Sequence, residues 1–359
     1  MVKIFSSVKL LYVLIFSIIT ALLISDLSIA YYKYQNVIFD MDSYIFYESA
    51  RQLYSSGLAK IPFWVNSSTG LDIFTWGHYF PAFYYLFMHV FEAGPNTIYF
   101  YQIAEKLIML AAVLSIFYKY VGSRKIIILL MCLVLLDPLF SWFGMLKQYT
   151  RWPLIFAYFA IFVAVKIFVD KKDSNKLLSF IAPILLIMIV GMHASIGIPI
   201  ASSIVIFMLL EHLKSGYKYL QFKYFCFGIL IGLLLLVLPI LSGLTLVGMQ
   251  EFLSTFLLYL HTMSLGGSWK NLILQRGFFL ANIFIPVQSI SIIGIMPFLL
   301  FFSSIHYQKL NENEKFIVRL GVISFLTSLM FGMISPVHFT AVRMIWLMPI
   351  IVLLMYIIS

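Results

Sequence analysis

The chain has 359 residues, of which 62% are hydrophobic and 11% are charged. A soluble domain of this length would have to expose a large apolar surface, so the composition excludes that class and predicts a polytopic membrane protein. The net charge of +10 comes largely from lysine clusters between apolar runs, a signal of membrane topology rather than of nucleic-acid binding.

The first apolar run covers residues 10–30 and follows Lys3 and Lys9. It is longer than the apolar core of a typical signal peptide, and no convincing small-residue cleavage site follows it. We therefore expect an uncleaved first span, or signal anchor.

The apolar runs together predict an all-α, polytopic transmembrane helix bundle that forms a single integral membrane domain over residues 1–359. We expect ten spans, several of them short enough to require tilting or packing against a partner helix. Their predicted cores are residues 10–30, 97–118, 126–143, 152–169, 177–192, 196–210, 223–243, 283–303, 316–334 and 340–359.

The loop charges test this topology. With a cytoplasmic N-terminus, every short basic cluster falls inside, as the positive-inside rule requires, and the C-terminus is cytoplasmic too. This agreement requires residues 78–94 to form a juxtamembrane or re-entrant helix on the outer face; if they cross, there are eleven spans and every later cluster changes sides. The clusters are Lys119, Arg124 and Lys125; Lys171, Lys172 and Lys176; Lys214, Lys218 and Lys223; and Lys309 and Lys315.

Two large loops are predicted on the outer face, at residues 31–96 and 244–282. The first begins with Asp40 and Asp42, directly after the first span. Two acids at the mouth of a membrane span are costly unless they are solvated, paired or used. A carboxylate can act as a general base, and arginine or lysine can hold a phosphate. The candidate substrate- and phosphate-binding residues on this face are Arg51, His78, Lys147, Tyr149, Arg151, His193, Lys270, Arg276, His338 and Arg343.

Each candidate also has an ordinary structural interpretation. The two acids can be solvated at the interface, and Arg51 can snorkel to the headgroups. Lys147 and Arg151 can bind lipid headgroups, and His193 can be a hydrogen-bonded core residue. No histidine pair has the spacing of metal ligands, although the two acids and a distant histidine can meet in space, so a divalent metal stays an open possibility.

Three segments carry a resemblance to the GT-C superfamily of membrane glycosyltransferases. Residues 42–57 read DSYIFYESARQLYSSG, residues 80–86 read FPAFYYL, and the third span ends in Leu136-Asp137-Pro138 before a loop with Arg151. These segments are similar to the first-loop signature, the juxtamembrane helix and the following outer loop of the lipid A aminoarabinose transferase and protein O-mannosyltransferase relatives. The resemblance covers roughly the first 160 residues.

The resemblance implies an inverting glycosyltransferase in a bacterial or archaeal inner membrane, with its active site on the outer face. Asp42 would be the catalytic base, with Asp40 as its neighbour or substitute. The donor would be a polyprenyl-phosphate-linked sugar, the acceptor a glycan, lipid-linked or protein hydroxyl, and no cofactor would be required. Two departures are that Ser43 replaces the common second acid and that the third-span loop lacks an acid often found there.

Two other functions fit the same sequence. An O-antigen or capsule polysaccharide polymerase or ligase shares the membrane, the face and the lipid-phosphate chemistry. A flippase for lipid-linked oligosaccharides would instead line a central path with cations and is often built from internal repeats, and the sequence has none.

Overall fold

The computed structural model describes residues 79–117, 148–169, 175–192, 194–216, 218–247, 294–334 and 346–358, together with residues 17, 47, 50, 51, 54, 55 and 344. This part of the chain is helical and contains no strand, which confirms the all-α prediction there. The helices are α1 (Tyr79–Phe91), α2 (Pro95–Phe117), α3 (Gln148–Phe168), α4 (Lys176–Met192), α5 (Ala194–Lys214), α6 (Phe222–Val247), α7 (Met296–Ile305), α8 (Glu312–Ile334) and α9 (Met348–Ile358).

Most predicted spans in these ranges coincide with a helix to within a few residues. The largest differences at a start are α7, whose range begins at Met296 rather than at 283, and α9, whose range begins at Met348 rather than at 340. Helix α3 begins at Gln148 rather than at 152. Helix α6 continues to Val247, because the predicted loop opens with residues that are still apolar. The predicted first span, the span at 126–143 and residues 248–282 of the second outer loop lie outside the described residues.

Within the described ranges, two helices are long and apolar enough to cross a membrane, at Ile196–Lys214 in α5 and Glu312–Met333 in α8. Length and composition alone support this. Shorter apolar helices accompany them, and several of their large apolar side chains, such as Phe298 and Leu230, are exposed. A lipid environment would accommodate such a surface.

The described helices pack around one apolar core. Helix α4 packs against α3, α5 and α6, and α5 also packs against α3 and α8. Helix α8 in turn contacts α7 and α9. One end of the bundle brings together the last residues of α3, α5 and α7 and the first residues of α4, α6 and α8. This end carries several lysines, among them Lys176, Lys214, Lys218 and Lys315. We call this the basic end.

The turn between α1 and α2 is formed by residues that end one helix and begin the next. Glu92 follows α1 with φ of 61°, the left-handed conformation that commonly ends a helix. Pro95 opens α2, where its missing N–H costs nothing and its fixed φ suits the first turn. Thr97 is fully buried and its hydroxyl donates to the Glu92 carbonyl, which ties the two helices together.

Helices α4 and α6 approach closely because α6 carries glycines one turn apart. A Cβ at Gly228 would lie 2.2 Å from the Phe180 carbonyl oxygen and 2.6 Å from Pro183 Cγ. A Cβ at Gly232 would lie 2.7 Å from Ile187 Cδ1. Small residues at this spacing let helix backbones come together, as in many membrane helix pairs.

We expect Gly228→Ala to destabilise the protein, although alanine normally favours a helix by about 1 kcal/mol over glycine. The new methyl group would meet the Phe180 backbone, which cannot move without separating α4 from α6. The melting temperature of the detergent-purified protein measures this effect. Gly94→Ala is the matched control, because a Cβ there meets nothing within 4 Å. An unchanged melting temperature for Gly228→Ala would contradict the close approach of these helices.

Candidate functional site

Aromatic rings join α1 to the first turns of α2 and α3. Tyr84 stacks on Tyr101 with ring centroids 4.0 Å apart, and Phe83 stacks on Trp152 at 4.3 Å. The Trp152 Nε1–H donates a hydrogen bond of 2.6 Å to the Tyr101 hydroxyl. Tyr84 and Tyr101 are each only 1% exposed. Stacked and buried rings of this kind hold helices in a defined arrangement.

The first predicted outer loop reaches this group of rings. Tyr47 meets Tyr84 edge to face at 5.8 Å, and Tyr54 meets His89 at 5.3 Å. Tyr47, Ala50, Arg51 and Tyr54 are all helical; the first two are buried and the last two are exposed. The two ring contacts place Tyr47 and Tyr54 against α1. We call Tyr47, Phe83, Tyr84, Tyr101 and Trp152 the aromatic cluster.

The aromatic cluster links two chain segments that carry predicted site residues. Tyr47 lies five residues after Asp42 in the sequence, and Trp152 directly follows Arg151. The connection runs from Tyr47 through Tyr84 and Tyr101 to Trp152 by direct ring contacts and one hydrogen bond. The chain segments that carry the predicted base and a predicted phosphate ligand are therefore joined through packed side chains.

Three of the predicted site residues belong to described helical positions. Arg51 is exposed on the helical segment after Asp42, while Tyr149 and Arg151 belong to the first turn of α3, whose side chains there are not described. The predicted site residues outside the described part of the chain are Asp40, Asp42, His78, Lys147, His193, Lys270, Arg276, His338 and Arg343.

Sequence reasoning missed Glu105, which is fully buried in α2. It lies one helical turn from Tyr101, about 6 Å further along the axis, on the side of α2 that carries the aromatic cluster. The signal was present, because Glu105 is the only acid in the predicted span at 97–118. An ionisable residue in a predicted membrane span is by default a hypothesis for a functional site.

Sequence reasoning also missed an ion pair at the basic end. The Arg319 Nε–H and Nη2–H donate to the two Glu211 carboxylate oxygens at 2.5 and 2.9 Å, and Nη1–H donates to the Tyr307 hydroxyl at 3.0 Å. The Arg319 and Glu211 side chains are 22% and 10% exposed. This arrangement connects α5, α8 and the chain after α7. The available signal was a charged residue at the edge of each apolar run.

No group of three or more histidine, cysteine, aspartate or glutamate side chains within the described ranges is arranged to hold a metal ion. Asp40, Asp42 and His193 lie outside those ranges.

Comparison with known proteins finds no matching family model, no matching curated protein and no matching solved structure. The GT-C resemblance therefore stays a prediction that rests on the sequence segments themselves. Function has to be argued from the chemistry of the residues and from the contacts that bring their segments together.

Proposed function

We propose that this protein is a membrane glycosyltransferase of GT-C type, which transfers a sugar from a polyprenyl-phosphate donor to a hydroxyl acceptor on the outer face. The observation that carries the proposal is the aromatic cluster. It connects the segment after Asp42 to the first turn of α3, where Arg151 lies. A composite site needs its base and its phosphate ligands on elements that are rigidly joined.

A polytopic bundle of about ten spans is part of this proposal. Its support is the sequence of apolar runs, the all-helical structure of the described residues and the meeting of lysine-bearing helix ends at one end of the bundle. In this arrangement the basic end faces the cytoplasm. The first turns of α2 and α3, and the aromatic cluster with them, lie toward the opposite, outer face.

The chemistry assigns a role to each charged group. The Asp42 carboxylate accepts the proton of the acceptor hydroxyl as its oxygen attacks the anomeric carbon. The bond between the anomeric carbon and the phosphate oxygen breaks on the opposite side, so the configuration inverts. Polyprenyl phosphate leaves with the bonding electron pair, and the predicted cations, Arg151 among them, stabilise its charge. Asp40 lies beside the base as its neighbour or substitute.

The membrane explains why such a site would combine these residues. A polyprenyl chain confines the donor to the bilayer, so its phosphate lies at headgroup level. Arginine and lysine at the ends of spans reach that level. The first turn of α3 is such a span end in the predicted topology, and Arg151 and Tyr149 both belong to it.

The test is the surface-glycan mass profile of a host strain that lacks the gene, complemented with wild type or with Asp42→Asn. We expect the deletion to remove a defined sugar mass, wild type to restore it, and Asp42→Asn to fail at equal expression. Asp173→Asn is the matched control, because the same chemical change then falls in a predicted cytoplasmic loop. It should restore the profile fully.

Two results would overturn parts of this proposal. Full restoration by Asp42→Asn would make that residue an interfacial acid and move the base to Asp40. A deletion that leaves every sugar unit complete but shortens the polymer would favour a polysaccharide polymerase or ligase.

A further inference from the structure

A cavity of about 280 Å³ opens at the basic end, between the ends of α3 and α5 and the start of α8. Phe168 and Phe316 contribute apolar walls, and the Glu211–Arg319 pair also lines it. Lys214 and Lys218 line it as well, and both are exposed. The cavity therefore has two exposed cations in its lining, beside an ion pair that is held by hydrogen bonds.

The charges that line the cavity favour an anion. Lys214, Lys218 and Arg319 face Glu211 and Glu312, which leaves a formal excess of one positive charge. Both acids already have cationic partners, since Glu211 takes two hydrogen bonds from Arg319 and Glu312 accepts one of 3.1 Å from Lys315. Lys214 Nζ lies 3.8 Å from Glu312, at an exposed pair that holds it weakly.

The position of the cavity along the helices points to the class of ligand. Lys214 is the last residue of α5, and Glu312 is the first residue of α8. These are the two described helices long and apolar enough to cross a membrane. A cavity at the end of both helices opens at the level of the lipid headgroups, where basic pockets between helices bind anionic lipids.

We propose that this cavity binds the phosphate of an anionic phospholipid. Lys214 and Lys218, the two exposed cations of the cavity lining, contact the phosphate. The Glu211–Arg319 pair keeps α5 and α8 at the separation that the cavity requires. This inference does not depend on the glycosyltransferase proposal, because the cavity lies at the opposite end of the bundle from the aromatic cluster.

The experiment measures lipid retention by the full-length protein in detergent micelles, with native mass spectrometry during a titration with phosphatidylglycerol. Phosphatidylcholine, which has the same phosphate but no net charge, is the lipid control. We expect Lys214→Gln with Lys218→Gln to weaken retention of phosphatidylglycerol about 30-fold, since each lysine at a membrane surface favours an anionic lipid about fivefold. Lys223→Gln with Lys309→Gln is the matched control, because it removes two exposed lysines from the same end but outside the cavity.

Equal retention by wild type and the Lys214/Lys218 variant would overturn the proposal, and so would an equal loss in both double variants, which would indicate general surface charge. A second arm adds inorganic phosphate to protein purified with phosphatidylcholine alone and follows its melting temperature. Stabilisation that requires Lys214 and Lys218 in that arm would keep the phosphate site but would overturn the lipid as its source.

Discussion

Replacing Arg319 with methionine should lower the free energy of unfolding by about 3 kcal/mol, because it leaves the Glu211 carboxylate nearly buried without its partner. The wild-type guanidinium makes two hydrogen bonds to Glu211 and one to Tyr307. Methionine fills a similar volume, so the expected loss is electrostatic rather than a packing defect. Denaturation of the purified protein in detergent, followed by helical circular dichroism, measures it.

A double variant at Arg319 and Glu211 tests whether the loss of stability comes from leaving the Glu211 charge without its partner. Arg319→Met with Glu211→Leu should recover most of the lost stability, since an apolar pair of similar size replaces a desolvated ion pair at little cost. Lys315→Met is the control, because its partner Glu312 is 61% exposed and such pairs contribute about 0.5 kcal/mol. If Arg319→Met lowers the free energy of unfolding no more than Lys315→Met does, the Glu211–Arg319 pair does not hold α5 to α8.

Removing the Trp152 ring should cost about 3 kcal/mol of stability and should also remove the proposed transferase activity. Trp152→Ala takes away the ring stacked on Phe83 and the donor to the Tyr101 hydroxyl, and it leaves a cavity in the aromatic cluster. Since this cluster joins the segment after Asp42 to α3, its loss should release the proposed base from the proposed phosphate ligand. Glycan restoration in the deletion strain, normalised to folded protein, measures the activity.

Two further variants show whether the activity loss is specific. Trp152→Phe keeps an aromatic ring for Phe83 but loses the hydrogen bond, so we expect a smaller loss of about 1 kcal/mol and partial activity. Phe180→Ala removes a ring that stacks with Phe227 between α4 and α6, away from the first loop. It should reduce stability yet leave the activity of each folded molecule intact. Equal activity loss in Phe180→Ala and Trp152→Ala would show that the cluster has no special role in positioning.

The helices were predictable because, in a lipid environment, a single long apolar run can satisfy its own backbone hydrogen bonds only as a helix. The predicted spans at 97–118 and 177–192 coincide with α2 and α4 to within two residues at either end. The start of α3 was less predictable. Residues 148–151 are polar and precede Pro153, so hydropathy assigns them to a loop, yet they form the first turn of the helix. A helix continues into polar residues when packing supports its first turn, and Trp152 is buried against α1 and α2.

The candidate site was only partly predictable, for a different reason. Sequence alone shows that Asp40, Asp42 and several cations are unusual in an apolar chain, because charge is costly there. It does not show which of them meet. Glu105, Glu211 and Arg319 are equally unusual by the same criterion, but their pattern matches no motif, so the sequence assigns them no role.

The sequence by itself has the composition typical of a membrane protein. It also determined that the described part is helical and approximately where its helices begin and end, because each apolar run buries its side chains and satisfies its backbone hydrogen bonds as a helix. Only the tertiary structure decided which polar and aromatic residues are neighbours. Arg319 and Glu211 are 108 residues apart in the chain, and Trp152 and Tyr101 are 51 apart. Such contacts depend on the rotation and depth of each packed helix, which no local pattern specifies.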